Sequence, residues 1–143
     1  MYQRLYHEFL GSDDALRVYE GVRPVFTSKQ DRLLPLMEYI DKGPVQGPVT
    51  VFDRIMGNAA ALLVTKINCR EVYSPLGSEL AVRTLERGGI EYHLDKIVPY
   101  IQREDGGMCP MEELSLGKGA EEFYAKMLSR LAGRGGKEPA WKR

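Results

Sequence analysis

The sequence predicts an α/β protein built as a three-layer α/β/α sandwich around a mixed sheet. A strand hairpin is expected near the N-terminus, and after it helical and strand patterns alternate along the chain. A run near the middle, residues 59–64, is apolar on every side and is therefore expected to be a buried helix. The hairpin makes part of the sheet antiparallel, and the later alternation of helix and strand places helices on both of its faces.

The first part of the chain predicts a helix, the hairpin and a second helix. Apolar residues recur at helical spacing in residues 2–10, which indicates a short amphipathic helix. Residues 16–19 and 24–27 are short strand-forming runs joined by a turn that contains glycine, as in a hairpin. Helical spacing returns in residues 31–40, with Pro35 near the start of the helix.

The middle of the chain predicts two strand–helix units. A strand over residues 49–52 leads into the buried helix, which is expected to span roughly residues 54–66. A strand over residues 70–73 then leads directly into a helix over residues 74–87. Ser74 is the predicted N-cap of that helix, because serine favours this position and a proline follows it.

The last part of the chain predicts two more strands and a final helix. Residues 90–94 form one strand, and residues 97–101 form a strand at the sheet edge, where its proline is tolerated. The final helix spans residues 120–131. We expect residues 1–131 to form a single domain and residues 132–143 to be a flexible basic tail.

The composition argues against several classes of function. Twenty basic residues balance twenty acidic ones among 143, so binding of nucleic acid across the whole surface is disfavoured. No apolar run reaches the length of about eighteen residues that crosses a membrane, and the N-terminus lacks the apolar stretch of a signal peptide. We therefore expect a cytoplasmic protein without membrane association. The spacing of two cysteines and two histidines matches no structural zinc pattern, and no metal or cofactor is expected.

Residues 106–113, Gly-Gly-Met-Cys-Pro-Met-Glu-Glu, are the most informative stretch. Cys109 is expected to be the N-cap of a helical turn that Pro110 begins, where the missing N–H of proline does no harm. Glu112 then occupies the third helical position, where a carboxylate meets unpaired backbone donors. A helix end can lower the pKa of a thiol, so Cys109 is a candidate nucleophile. A buried structural thiol is an equally supported alternative.

Other candidate residues lie near predicted helix starts or in the loop after the last strand. Asp53 precedes the buried helix, where an aspartate serves either as a helix cap or as a pocket carboxylate. The candidate ligand-binding residues are Gly57, Asn58, Ser74 and Arg103. Each has a purely structural alternative. Gly57 would let another part of the backbone approach closely, and Asn58 would form hydrogen bonds with the backbone. For the serine it is helix capping, and for the arginine it is an ion pair with Glu112.

Three blocks of the sequence, residues 53–63, 74–90 and 108–112, resemble a family of small prokaryotic proteins of unknown function. That family is assigned to the cytidine-deaminase-like fold, and the resemblance extends from about residue 16 to residue 114. In cytidine deaminases a His-x-Glu opens the buried helix and a Pro-Cys-x-x-Cys opens a later one, and together they hold zinc and move protons. The corresponding residues here are Gly-Asn-Ala at 57–59 and Pro-Leu-Gly-Ser-Glu at 75–79. The resemblance therefore implies a deaminase-like fold without zinc chemistry.

Our first functional hypothesis is a zinc-free, deaminase-fold protein that binds a small metabolite, such as a nucleobase or nucleotide derivative. The pocket would lie where the helix starts near Asp53, Ser74 and Cys109 converge, since helix N-termini favour anionic groups. Asp53 and Asn58 would contact the polar edge of the ligand, and Glu112 would order the loop. The composition leaves a homodimer open.

Two alternatives belong to other classes. In the first, Cys109 is the nucleophile of an enzyme, with Asp53 or Glu112 in proton transfer and His93 as the imidazole that could assist. In the second, the protein is an interaction subunit with no ligand. A mixed carboxylate–thiolate metal site formed by Asp53, Cys109 and Glu112 is a further, less favoured arrangement.

Overall fold

The hairpin predicted near the N-terminus forms one edge of the sheet in the computed structural model, which describes residues 2–133. Its strands pair antiparallel, and the first of them also pairs antiparallel with the third strand. The third, fourth and fifth strands are parallel to one another. The strands are β1 (Leu16–Glu20), β2 (Arg23–Ser28), β3 (Val49–Asp53), β4 (Cys69–Ser78) and β5 (Glu91–Val98), in the spatial order β2-β1-β3-β4-β5.

Helices cover both faces of this mixed sheet unequally. The described residues form six helices: α1 (Gln3–Leu10), α2 (Leu34–Lys42), α3 (Asn58–Val64), α4 (Glu79–Arg87), α5 (Pro110–Ser115) and α6 (Ala120–Gly133). The large apolar core joins α2, α3, α4 and α6 to one face of the sheet. A smaller aromatic cluster joins α1 to the opposite face. The prediction of an α/β fold with a mixed sheet is therefore confirmed.

Strand alternation divides buried residues between the two cores. In β3, Val51 belongs to the large core and its neighbour Phe52 belongs to the aromatic cluster, because successive side chains point to opposite faces. The ring of Phe52 lies 5.4 Å from that of Tyr73 and 5.5 Å from that of Tyr6 of α1, measured between centroids. The two cores thus place α3 and α4 on one side of β3 and β4, and α1 on the other.

The prediction of a helix starting at Ser74 is wrong. Strand β4 continues to Ser78 because both of its edges find partners: Leu76 pairs with Lys96 of β5, and its carbonyl accepts a hydrogen bond from the Met56 N–H at 2.8 Å. Helix α4 begins only at Glu79. Its N-cap is Ser78, whose hydroxyl oxygen accepts a hydrogen bond from the Ala81 N–H at 3.1 Å.

The buried helix also begins later than predicted. The sequence pattern favours a start near residue 54, but residues 54–57 stay outside the helix because Met56 forms a bridge to Gly77 of β4. Helix α3 therefore starts at Asn58, with Gly57 as its N-cap in an extended conformation. Every residue of α3 is buried, as its apolar composition predicts.

The last two predicted strands are one strand. Residues 91–98 pair continuously with β4, so the predicted break between residues 94 and 97 is wrong. The expected position at the sheet edge is correct, and Pro99 follows the last strand residue. The predictions for α1, the hairpin, α2, β3 and α6 agree with the structure apart from a few terminal residues.

Arg54 joins the N-terminal helix to the rest of the chain. Its guanidinium lies 4.4 Å from the centroid of the Phe9 ring. It also donates hydrogen bonds of 2.7–3.3 Å to the backbone carbonyls of Phe9, Leu10, Ser12 and Asp14. Two of these carbonyls belong to the last turn of α1, where a cation compensates unpaired acceptors. Arg54 therefore fixes α1 and the turn that follows it.

Within residues 2–133, no helix is both long enough and apolar enough to span a membrane. Most of the predicted basic tail, residues 134–143, lies outside the described residues.

Replacing Arg54 with lysine should destabilise the protein although the charge is kept, because an ammonium cannot reproduce the planar five-donor fork of the guanidinium. We expect the free energy of unfolding, measured by urea denaturation, to fall by about 2 kcal/mol. The matched control is Arg23→Lys in the exposed part of the hairpin, which should change stability by less than about 0.5 kcal/mol. Equal losses in the two variants would contradict the anchoring role of Arg54.

Candidate functional site

The carboxylate of Glu112 connects three segments at one end of the sheet. Glu112 is 2% exposed, and its two oxygens accept hydrogen bonds from different backbone groups. Oε1 accepts from the Asn58 N–H at 2.5 Å and Oε2 from the Ile101 N–H at 2.7 Å. From the sequence we expect this carboxylate to meet unpaired N–H donors at the start of a helix. The Asn58 N–H is such a donor, but it belongs to α3 and not to the helix that contains Glu112. Both oxygens are occupied, so the geometry assigns Glu112 a positioning role rather than proton transfer.

Gly57 is the residue that allows this approach. A Cβ atom at position 57 would lie 3.1 Å from Oε1 of Glu112 and 3.0 Å from Cγ1 of Ile101. Both contacts are tighter than side chains normally tolerate, so any larger residue would push the carboxylate away from the start of α3. Gly57 contributes space rather than a ligand contact.

Asn58 links the three helices around this end. Its side-chain N–H group donates to Ser115 Oγ at 2.9 Å, and its carbonyl oxygen accepts from the Thr84 hydroxyl. The Ser115 hydroxyl donates in turn to the carbonyl of Glu112 at 2.6 Å. Asn58 therefore connects α3 with α4 and α5, and its amide orientation is set by these partners.

A cleft of about 600 Å³ opens beside this cluster, between α3, α4 and the loop that joins α5 to α6. It is lined by Asn58, Leu62, Thr65, Thr84, Arg87, Gly88, Gly117, Lys118 and Gly119. The Arg87 guanidinium donates to the Thr84 hydroxyl oxygen at 3.3 Å. Within residues 2–133, neither Arg87 nor Lys118 forms an ion pair with a carboxylate. The cleft therefore combines two uncompensated positive charges with buried polar groups, a combination that suits an anionic ligand.

Asp53 and Ser74 lie inside the protein and do not line this cleft. Asp53 is 6% exposed, and its Oδ1 accepts a hydrogen bond from the Arg54 N–H at 2.8 Å. Burial raises the pKa of Asp53 to about 7, and the backbone donors that follow it offset part of that rise. Ser74 is fully buried, and its hydroxyl donates to the Leu76 carbonyl at 3.0 Å. Asp53 thus caps the turn after β3, and Ser74 closes a local bond within β4.

Cys109 takes the predicted N-cap position of α5, and its N–H donates to the Ile101 carbonyl at 2.8 Å. The thiol is partly buried and makes no capping hydrogen bond. His93 is poorly placed to be its base, because it lies near the start of β5 whereas Cys109 follows the end of that strand. At about 3.3 Å per residue, His93 and Val98 are already roughly 16 Å apart along β5. These positions give the nucleophile hypothesis no geometric support.

The structure also shows the surroundings of Arg103 and Cys69. Arg103 is half-exposed and pairs with Asp105 at 3.3 Å, so the predicted ion pair with Glu112 is wrong. The reason is that Glu112 is buried against backbone donors, whereas Arg103 lies in an exposed turn. Cys69 is partly buried and packs against the large apolar core, and burial raises the pKa of its thiol to about 12.

The sequence gives little indication of the two cations of the cleft. Arg87 occupies the last turn of α4, and Lys118 lies between two glycines in the loop before α6. A lysine flanked by glycines in a short interhelical loop is a local signal that could have drawn attention to Lys118. No local signal joins it to Arg87, since 30 residues separate them and only the packing of α3, α4 and α6 brings them together.

Comparison with known proteins identifies the family of this chain and a similar solved structure. Residues 7–131 match the model of the TM1506 family, described as a domain of unknown function (DUF1893). The crystal structure of a DUF1893 family protein (TM1506) from Thermotoga maritima, at 2.70 Å resolution, is similar with a TM-score of 0.79 and 27% identity. The similarity covers 90% of this chain and 88% of that chain. No curated protein matches the sequence. The matched range includes Glu112 and the whole cleft.

Replacing Glu112 with glutamine should weaken the connection between α3, α5 and the loop after β5. The amide NH₂ would face one of two backbone N–H donors, leaving a buried donor unsatisfied, so we expect the free energy of unfolding to fall by about 2–4 kcal/mol. The neighbouring exposed Glu113 provides the control, since Glu113→Gln should change stability by less than about 0.5 kcal/mol. Urea denaturation of both variants tests this, and a Glu112→Gln variant as stable as the wild type would refute it.

The raised pKa of Asp53 predicts a pH-dependent stability difference. In the folded state Asp53 keeps its proton up to about pH 7, whereas in the unfolded state it releases the proton near pH 3.8, the ordinary pKa of an aspartate. The stability that protonated Asp53 contributes is therefore complete below about pH 4 and is lost as the pH rises to about 7. Asp53→Asn keeps an acceptor for the Arg54 N–H but never ionises. The stability of this variant relative to the wild type should be greater at pH 8 than at pH 5, by on the order of 1–3 kcal/mol.

Denaturant titrations at the two pH values measure this difference. Asp31→Asn, the same substitution at an exposed position, serves as the control. A pH-independent difference for Asp53→Asn would show that the buried carboxyl group does not titrate in this range.

Proposed function

The chain belongs to the DUF1893 family, and we propose that it lacks the zinc centre of cytidine deaminases and binds a small anionic metabolite. The ligand would occupy the cleft between α3, α4 and the α5–α6 loop. The observation that carries this proposal is the pair of cations, Arg87 and Lys118, which line one cleft without a carboxylate partner among residues 2–133. Isolated positive charges that face a common cavity favour a ligand whose negative charge compensates both of them.

The dimensions and chemistry of the cleft suit a nucleotide or a similar phosphorylated metabolite. Its volume of about 600 Å³ lies within the usual range of small-molecule sites. The planar guanidinium of Arg87 can bind a phosphate or carboxylate through two hydrogen bonds, and Lys118 adds a point charge from the α5–α6 loop. Leu62 supplies apolar surface on the α3 side for the uncharged part of the ligand.

Asn58 and Thr84 would act mainly by shaping this cleft. Their side chains are hydrogen-bonded to each other, and the Thr84 hydroxyl oxygen also accepts from Arg87. This chain of hydrogen bonds connects the buried Asn58 to the exposed guanidinium. It would hold Arg87 in place before the ligand binds, which reduces the entropy lost on binding.

A cytidine-deaminase-like ancestry of the fold is part of the same proposal. It is supported by the succession of hairpin, buried helix α3 after β3, and helix α4 after β4. The positions at which deaminases carry zinc ligands are here Gly57–Ala59 at the start of α3 and residues 75–79 at the junction of β4 and α4. Neither segment contains a histidine or a cysteine, and Asn58 is engaged with Thr84 and Ser115. A binding role therefore fits these residues better than zinc-dependent deamination.

Binding measurements with defined anions test this proposal. Isothermal titration with inorganic phosphate and with a set of nucleoside monophosphates should reveal at least one ligand with a dissociation constant below about 1 mM. Arg87→Gln and Lys118→Gln should each weaken that ligand about tenfold or more, since each removes a charge that faces it.

The matched control is Arg83→Gln, which removes an exposed arginine from the same helix outside the cleft. Its affinity should stay within about twofold of the wild type, as expected for a charge that does not touch the ligand. The proposal fails if none of these anions binds, or if Arg83→Gln weakens binding as much as Arg87→Gln does.

A further inference from the structure

A second cluster of chemistry-bearing side chains lies on the other face of the sheet, next to α1. Glu71 of β4 and Glu91 of β5 are register partners in the parallel pair, and His93 follows two residues after Glu91. Because residues two apart on a strand share a face, all three side chains lie on the same side of the sheet. His93 confirms which face this is, since its ring stacks on Tyr73, which packs in the aromatic cluster against α1.

Two of the distances within this cluster are close to those between ligands of one metal ion. His93 Nε2 lies 2.9 Å from Glu71 Oε2 and 3.6 Å from Glu91 Oε2. One ligand atom from each of the three residues lies within 4.8 Å of the other two. Ligand atoms that share a cation at about 2.0–2.2 Å are separated by roughly 3.0–3.6 Å in tetrahedral or octahedral geometry. Small rotations of the carboxylates would bring all three donors to such a cation.

The arrangement of negative charges in the cluster favours a bound cation. Two carboxylates directly opposite each other on neighbouring strands repel, and that pairing is destabilising unless a positive charge compensates it. The Glu71 side chain is only 12% exposed, so water screens this repulsion incompletely.

The imidazole is held in position before any ion arrives. The rings of His93 and Tyr73 are 4.2 Å apart between centroids and nearly parallel, at 15°. Tyr73 is itself fixed by Tyr6 and Phe52, at 5.4 Å each. The His93 side chain is nevertheless 44% exposed, so an ion from solvent can reach its Nε2 atom.

We propose that Glu71, Glu91 and His93 form a binding site for a divalent first-row transition cation such as Zn²⁺, Mn²⁺ or Co²⁺. One imidazole and two carboxylates suit these ions, whereas Mg²⁺ and Ca²⁺ prefer oxygen ligands alone. Three protein ligands leave coordination positions for water or for an exogenous ligand. The site is independent of the anion cleft, which lies on the opposite face of the sheet.

Metal titration of the full chain tests this site. Protein treated with EDTA and exchanged into chelator-free buffer is titrated with ZnCl₂ at pH 7.5 by calorimetry, with MgCl₂ as the comparison. One equivalent of Zn²⁺ should bind with a dissociation constant in the micromolar range or below, and Mg²⁺ should bind at least about tenfold more weakly. The visible spectrum of the Co²⁺ form gives a second, direct readout of nitrogen and oxygen coordination.

Variants identify the ligands. His93→Ala and Glu71→Gln should each lower Zn²⁺ affinity about tenfold or more, because the loss of even an outer-shell partner can lower affinity that much. His7→Ala removes the other histidine, which is exposed on α1, and should leave the affinity unchanged. Cys109→Ser should also bind as the wild type does, which excludes capture of the metal by the partly exposed thiol. Circular dichroism verifies that each variant is folded.

Three results would overturn the proposal. One is the absence of a stoichiometric Zn²⁺ site in the wild type, which would indicate that a protonated His93 alone bridges the two glutamates. Another is wild-type affinity in His93→Ala and Glu71→Gln. The third is an equal loss of affinity in His7→Ala or Cys109→Ser, which would place the metal elsewhere.

Discussion

The buried carboxylate of Glu112 is the interaction on which the candidate site depends. It accepts hydrogen bonds from the start of α3 and from the loop after β5, while its own helix packs against α3. A carboxylate satisfies two backbone donors at a position where a neutral side chain could satisfy one at best. Because Gly57 leaves room for it, the first turn of α3 can lie directly on α5. The position of α5 in turn sets where the chain runs towards Lys118 and α6, and so determines one wall of the cleft.

This constraint divides the polar residues of the chain into those that build the structure and those that remain available for chemistry. Hydrogen bonds to one another or to the backbone already occupy the polar groups of Glu112, Asn58 and Ser115. Asp53 caps the turn after β3. Their bonds hold α3, α4 and α5 in a single arrangement. In the proposed function, Arg87 and Lys118 provide the charges that bind the anionic ligand. The sheet separates these cations from Glu71, Glu91 and His93, so the proposed anion and cation sites lie on opposite faces.

The predictions from sequence succeed where the periodicity of apolar residues agrees with burial. They fail where a strand continues because distant segments supply hydrogen-bond partners, which no local pattern reveals. The apolar run in α3 leads to burial in any packed arrangement, and the hairpin is determined by its turn. The segment Ser74–Pro75, in contrast, has the composition of a helix start. It remains a strand because Met56 and β5 supply hydrogen-bond partners on its two edges. The same extended bridge from Met56 delays the start of α3 from residue 54 to Asn58.

The sequence by itself determined the mixed α/β architecture, the buried helix α3, the proline-started turn at Cys109 and a carboxylate at Glu112 that meets backbone donors. These properties follow from side-chain periodicity, from the fixed φ of proline and from the small set of groups that can satisfy a helix end. Only the tertiary structure decided that Glu112 accepts a hydrogen bond from the start of α3. It also decided that Asp53 and Ser74 are buried and that Arg87 and Lys118 share a cleft. It also brought Glu71, Glu91 and His93 together. The physical reason is that each of these relations joins segments distant in the chain, and strand register and helix packing set distances that no local preference encodes.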